Sequence, residues 1–277
     1  LNVSPDWINF DGQLLRSGAP ILTFANRSFR YGDGLFETMM VHDGHLRLAD
    51  HHFDRLLSGM QLLSLRAAFK PQDLEVQILA LCQKNGNPPR SRVRLVVYRD
   101  ESPIPGPISP IPHYIIESWP LPGGPALNDK GLIIDTLPDG RKACDALANL
   151  KSNNYLLYTL AAIHAQNHSL DDCLVLNSRD RLADSTIANL FYVFKGQVFT
   201  PPLSEGCVAG VMRRYLLENM PGAGFAVQEK IVTPEDLLNA DEIFLTNAIR
   251  GIRWVGSFRT SKFTNILTTN IYQQLIA

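Results

Sequence analysis

The sequence predicts a two-domain α+β protein, on three observations. Strand pairs joined by tight turns recur, "FETMMV" and "HLRL" around "HDG", then "ANLFYVF" and "QVFT" around "KG". Helical periodicities lie between such pairs instead of alternating with single strands, which favours antiparallel pairing over a run of βαβ units. At 277 residues the chain is long enough for one large domain or two ordinary ones. It is punctuated by "ESPIPGPISPIP" and "WPLPGGP", where proline excludes a continuous helix or central strand. The predicted division is an N-terminal α+β domain over 1–118, a connection over 119–127 and a C-terminal α+β domain over 128–277.

Taken in order, the hairpin at "FETMMVHDGHLRL" is followed by "DHHFDRLLSGMQLLSL", with Phe53, Leu56, Leu57, Met60 and Leu63 at helical spacing. "PQDLEVQILALCQKNG" predicts a second helix, with Pro71 in its first turn and Gly86 as its stop. "RVRLVVYRD" predicts a strand, and "HYIIES" is a short strand candidate between the proline-rich stretches. In the second half, strands are predicted at "GLIIDTL", "DCLVLN", "GFAVQEK", "DEIFLTN" and "IRWVGSF". Helices are predicted from about Asn154, at "VMRRYLLENM", at "TPEDLLNA" and near "TNILTTNIYQQLI".

Composition narrows the function classes. A hydrophobic share of 45%, a charged share of 19% and a net charge of -1 describe a folded protein with no electrostatic case for nucleic acid or an anionic membrane. No apolar run approaches the roughly 18 residues needed to span a bilayer. Cys82, Cys144, Cys173 and Cys207 form no Cys-x-x-Cys pair, which argues against a disulfide framework or a thiolate zinc site and predicts a cytoplasmic home. "LNVSPDWINFDGQLL" lacks a signal-peptide pattern. The chain begins at Leu1, which predicts that at least one preceding residue is missing. His164 and His168 have the spacing of some metal pairs, but without a third ligand nearby they read as a polar helix face. "GDGLFE" and "GCVAG" match neither the dinucleotide fingerprint nor the P-loop, and no G-x-S-x-G elbow occurs.

One lysine stands out. Lys151 sits between the apolar "LANL" and the small polar "SNN", just before a helix. A lysine there is ordinarily a surface residue, whereas a catalytic lysine needs partial burial to lose its proton cheaply. The adjoining apolar run permits that burial.

Four stretches, "FRYGDGLFETMMVHDGHLRLADHHFDRLLSGMQLL", "LKSNNYLLYTLAAIHAQN", "RLADSTIANLFYVFKGQVFTPPLSEGCVAGVMR" and "ADEIFLTNAIRGI", together resemble the class IV aminotransferase family. These are the fold-type IV pyridoxal 5'-phosphate (PLP) enzymes, which include branched-chain and D-amino acid aminotransferases and 4-amino-4-deoxychorismate lyase. The resemblance implies a two-domain D-amino acid aminotransferase-like fold with the cofactor at the domain interface, and a homodimer.

The resemblance assigns residues one by one. Lys151 matches the lysine that forms the Schiff base with PLP and then moves a proton; only a primary amine can form that imine. Asp184 falls where the family has glutamate on the pyridine nitrogen, one methylene shorter, and otherwise reads as a turn aspartate. Arg55 matches the phosphate-holding arginine, and the backbone amides of Val211 and Met212 after Gly210 complete the phosphate site at a helix N-terminus. Thr246, Asn247 and Ala248 match the turn over phosphate and substrate carboxylate. Tyr155 resembles the tyrosine on the PLP phenolic oxygen, and Tyr31, Glu37 and Arg94 match substrate-pocket positions, Arg94 as a candidate for a substrate carboxylate.

Two chemistries fit, both on a small-molecule amino acid or keto acid substrate. The first expectation is transamination, and the second is the lyase reaction that releases pyruvate and 4-aminobenzoate. "GVMR" and "TNAIRGI" lean toward the lyase, while Met39 and Met40 after "FET" replace the glycine and pocket arginine typical of branched-chain enzymes. The Asp184 departure also admits a PLP-binding relative without catalysis.

Overall fold

Residues 5–67, 69–87, 89–102, 106–123 and 126–277 are described by the computed structural model, so Gly124 and Pro125 of the expected connection lie outside it. The chain divides into two units, Leu1–Gly123 with Lys151–Asn154, and Gly124–Leu150 with Tyr155–Ala277. The short return of Lys151–Asn154 to the first unit is not visible as a local pattern in the sequence.

Unit 1 contains β1 (Trp7–Phe10), β2 (Gln13–Arg16), α1 (Arg27–Tyr31), β3 (Gly34–His42), β4 (His45–Leu46), α2 (Ala49–Leu62), α3 (Pro71–Lys84), β5 (Arg90–Arg99) and β6 (Pro112–Pro120). Its strands form one antiparallel sheet in the order β2-β1-β6-β5-β3-β4. Strict alternation buries Val93, Leu95 and Val97 of β5 completely, and α2 and α3 pack on β3 and β6. The helices bury Phe53, Leu56 and Met60, and Leu74, Ile78 and Leu81, both at i, i+3/i+4, i+7 spacing. Each such side chain contributes about 2 kcal/mol, so burial of this stripe holds the helices more than intrinsic propensity does.

Two features differ from the sequence expectation. The β1–β2 hairpin was not anticipated, although its Asp11-Gly12 turn carries the same signal as Asp43-Gly44 and Lys195-Gly196: in all three, both residues have positive φ. Strand β6 extends through Trp119 and Pro120, which the sequence assigned to the connection. Its two prolines occupy the strand ends, so their missing N–H groups leave the ladder from His113 to Trp119 intact.

Unit 2 contains β7 (Leu132–Lys142), α4 (Leu156–Asn167), β8 (Asp172–Asn177), β9 (Leu182–Ser185), β10 (Asn189–Phe194), β11 (Gln197–Thr200), α5 (Val211–Asn219), β12 (Val227–Glu229), α6 (Pro234–Leu238), β13 (Glu242–Asn247), β14 (Gly251–Phe258), β15 (Ser261–Lys262) and α7 (Ile266–Leu275). The sheet runs β12-β11-β10-β13-β14-β7-β8-β9, and β9 also pairs with β10 through Asp184 and Asn189. Six strands therefore close on one another around Leu132, Leu174, Leu190, Ile243, Val255 and Phe258. The expected antiparallel pattern is only part of this sheet: β7–β8, β7–β14 and β11–β12 are parallel, with α4 as the crossover from β7 to β8. Tyr158, Ala161 and Ala165 of α4 pack against Leu137, Cys173 and Val175.

All four cysteines are free thiols. Among the described residues no helix is long and apolar enough to cross a membrane, and no His/Cys/Asp/Glu group is arranged to hold a metal ion.

Candidate active site

In unit 1 the sequence-predicted residues gather around β3. The Lys151 carbonyl accepts from Phe36 N–H at 2.9 Å, Asn153 N–H donates to the Gly34 carbonyl at 2.9 Å, and Leu35 bridges to Ser152. This close approach explains Gly34: a Cβ there would lie 2.6 Å from Asn153 Nδ2 and 2.8 Å from the Val97 carbonyl. Lys151 is half-buried, with its Nζ 4.4 Å from the centre of the Phe36 ring, and the Arg94 guanidinium lies 4.2 Å from the same ring. Arg94 projects from the half-exposed face of β5, in register with Thr38 and Glu117. Tyr31, at the end of α1, is 53% exposed, with the Arg27 guanidinium 5.3 Å from its ring.

Glu37 lies on the opposite, helix-packed face and is 1% exposed. Arg55 forks onto its carboxylate, Nε donating to Oε1 at 2.8 Å and Nη2 to Oε2, while His52 Nδ1–H donates to Oε2 at 2.6 Å. Burial pushes the Glu37 carboxyl up, but the Arg55 charge and the two donors outweigh it and hold it at about 2. Burial pushes His52 down, so the ring is neutral, and its Nε2 is buried without a partner among the described residues. The expected pocket residue Glu37 is thus spent on Arg55, and His52, which sequence reasoning did not single out, completes the cluster.

In unit 2 the expected residues Asp184 and Thr246 line up across three strands, with Asn189 between them. Asp184 on β9 pairs with Asn189 on β10, which pairs with Thr246 on β13. Asp184 is therefore a buried strand residue and not the turn aspartate the sequence also allowed. Its Oδ2 accepts from Val208 N–H at 2.8 Å, Tyr158 O–H at 3.0 Å and Lys142 Nζ at 3.1 Å. Its Oδ1 and the Thr246 Oγ are both buried without a partner among the described residues. Burial and the Asp184 charge push the Tyr158 phenol well above its usual range, which keeps it a donor.

Gly210 abuts this row, since a Cβ there would fall 1.8 Å from Asn189 Oδ1. It caps α5 with no side-chain hydrogen bond, so the N–H groups of Val211 and Met212 head an uncapped helix, an arrangement suited to an anion. Asn247 Oδ1 accepts from Ile249 N–H at 3.0 Å and Arg250 N–H at 2.8 Å, which folds the turn containing half-buried Ala248. Tyr155 O–H donates to the Thr186 carbonyl at 2.5 Å, and its ring lies 4.7 Å from that of Tyr158. Chemically, this unit can hold a phosphate-like anion at α5 and a protonated ring nitrogen at Asp184 Oδ1. Lys142, Tyr158 and Asn189 were missed by the sequence reading. They act across the fold: Tyr158, in "LKSNNYLLY", and Asn189, in "IANLFY", lay within stretches that carried the family resemblance, whereas Lys142 lay outside them.

The aminodeoxychorismate lyase of Vibrio harveyi is 28% identical over 242 residues, covering 82% of this chain and 83% of that protein. The crystal structure of 4-amino-4-deoxychorismate lyase from Pseudomonas aeruginosa shares 30% identity and a TM-score of 0.83 over 97% of each chain. The branched-chain amino acid aminotransferase of Escherichia coli has a TM-score of 0.88 over 97% of this chain and 93% of its own, with 22% identity, a likeness of fold. Residues 34–258 match the family described as amino-transferase class IV, a span that holds Lys151 and Asp184, and the chain belongs to that family.

Proposed function

We propose that this chain is a PLP-dependent enzyme of the aminotransferase type acting at the Cα of an amino acid. The observation that carries the reading is the row Asp184, Asn189 and Thr246, with two buried oxygens lacking partners among the described residues, set against the uncapped start of α5. PLP presents the complementary groups, a phosphate for the Val211 and Met212 amides and the Thr246 hydroxyl, and a ring nitrogen for Asp184 Oδ1. Family membership supports the same cofactor. When bound, PLP supplies an electron sink that makes the Cα–H of the attached amino acid acidic.

The protein's residues do the rest. Lys151 offers the primary amine for covalent attachment and, once displaced by substrate, a base for the Cα proton. Arg55 supplies a permanent charge for the phosphate, and Glu37 with His52 fixes its orientation, a role that replaces substrate contact for Glu37. Tyr155 is assigned to the phenolic oxygen of the cofactor. Arg94 is assigned to a substrate carboxylate, Tyr31 and Ala248 to the walls around it, and Asn247 to the cofactor.

A second reading, the lyase reaction, is favoured by the 30% identity to the P. aeruginosa enzyme across 97% of both chains. One experiment separates the two. PLP-loaded protein mixed with L- and D-amino acids is expected to convert to the pyridoxamine spectrum with at least one donor. Silence across the panel with release of 4-aminobenzoate and pyruvate from aminodeoxychorismate selects the lyase. Silence in both assays, with PLP bound, leaves a cofactor-binding relative without catalysis.

We also propose a homodimer in the cytoplasm. Leu156, Leu160 and Ile163 form a stripe on α4 that is 48–69% exposed, at i, i+4, i+7 spacing. Light scattering is expected to report twice the 30.9 kDa chain mass at micromolar concentration, and a monomer would end that proposal.

A further inference from the structure

We propose that Lys142 is a positioning residue that anchors Asp184 by one oxygen and offsets its charge, setting how strongly Asp184 binds the ring nitrogen of the cofactor. The proposal rests on the PLP reading above. Lys142 ends β7, beyond a register shift between Thr136 and Arg141 that returns the strand to β8 at Leu176 and Asn177. Its side chain is 11% exposed, and that of Asp184 is 2% exposed. The ammonium therefore stands inside unit 2, 3.1 Å from Asp184 Oδ2, bonded also to the Tyr158 hydroxyl and 5.1 Å from the Tyr158 ring centre.

Among the described residues these three donors converge on Oδ2, and none reaches Oδ1. A structural ion pair would satisfy both oxygens, because a buried acceptor left without a donor is costly. Here the carboxylate is held by one side and left open on the other. Asp184 is shorter than the family's glutamate and has one fewer side-chain torsion, so this three-point anchor defines where Oδ1 points. The cation also opposes a protonated ring nitrogen: a positive charge beside the carboxylate weakens its attraction for a second one. Lys142 thus moderates the contact that keeps the cofactor ring protonated.

The test compares PLP with an analogue bearing C–H in place of the ring nitrogen, each titrated into cofactor-free full-length protein and followed by absorbance. The ratio of the two dissociation constants isolates the ring-nitrogen contact. Lys142→Met is expected to raise the preference for PLP by about tenfold, as removal of a nearby like charge in a buried site requires. Lys142→Arg should keep the wild-type ratio, and Asp184→Asn should bring it close to one. Damage to the fold lowers the ratio or leaves it alone, so a rise separates charge offset from structural loss. If Lys142→Met does not fold, Lys142→Gln retains a donor, removes the charge and is expected to move the ratio in the same direction. An unchanged or reduced ratio in a folded charge-removing variant overturns the proposal. A wild-type protein that binds neither compound overturns the PLP reading, and this proposal with it.

Discussion

Lys151→Ala is expected to abolish borohydride fixation of PLP to the chain and to cut turnover by about a thousandfold or more. Wild-type protein treated the same way should gain the mass of reduced cofactor on the Lys151 peptide. The size follows from the loss of two functions in one residue, the covalent attachment and a proton transfer that alone is worth about 10²–10⁴ in rate. The variant should remain folded. What ties this segment to β3 is backbone, the bonds between Phe36 and the Lys151 carbonyl and between Asn153 and Gly34, and alanine preserves both. A folded variant that still turns over at the wild-type rate would remove Lys151 from the chemistry.

How much of this was legible in the sequence follows from how local each interaction is. The helices α2, α3 and α4 and the hairpin at Lys195-Gly196 could be read directly, because their signals lie within a few residues. The helix predicted from Asn154 begins at Leu156 because Lys151–Asn154 is drawn into unit 1 by β3, more than a hundred residues away in sequence. Asp184 could be located by resemblance, but its surroundings could not. Lys142, Tyr158 and Val208 meet it from 42, 26 and 24 residues away, and nothing local to any of them signals a carboxylate partner. Strand β9 was missed for the same reason: four residues bounded by a turn carry too little periodicity, and its identity comes from pairing with β8 and β10.

The parallel strands of unit 2 show the same limit from another side. Hairpins announce themselves by their turns, whereas β7 and β8 are joined by a long crossover whose ends carry no mark of mutual pairing. The site inherits this. Its phosphate-like cradle depends on Gly210 fitting against Asn189, which follows from the closure of the sheet and not from the glycine-rich "GCVAG" pattern alone.

Glu37→Gln is expected to destabilise the protein by about 3 kcal/mol at neutral pH and to flatten its acid sensitivity. Removing one partner of a buried pair strands the other, here the Arg55 guanidinium and the His52 donor, both committed to a carboxylate that is 1% exposed. Linkage gives a similar size, since a carboxyl held at about 2 instead of 4.5 contributes about 3 kcal/mol at neutral pH. The sign is that of a depressed carboxyl. The unfolded chain takes up the proton first, so the contribution is complete above the unfolded value and is lost as pH falls from about 4.5 toward 2. His52, held below its usual range, acts in the same direction at higher pH: the unfolded imidazole binds a proton that the folded one refuses, so stability falls as pH drops below about 6.5. Urea unfolding of wild type and Glu37→Gln across pH 7 to 3 measures both effects. The two curves should converge as the pH falls, since the variant has no carboxyl left to protonate. A variant as stable as wild type at pH 7 would show that the Glu37–Arg55–His52 cluster contributes no net stability, and parallel curves would show that the Glu37 carboxyl is not depressed in the folded protein. The same variant is expected to weaken PLP binding, because an Arg55 no longer held by its fork loses the orientation that favours a phosphate.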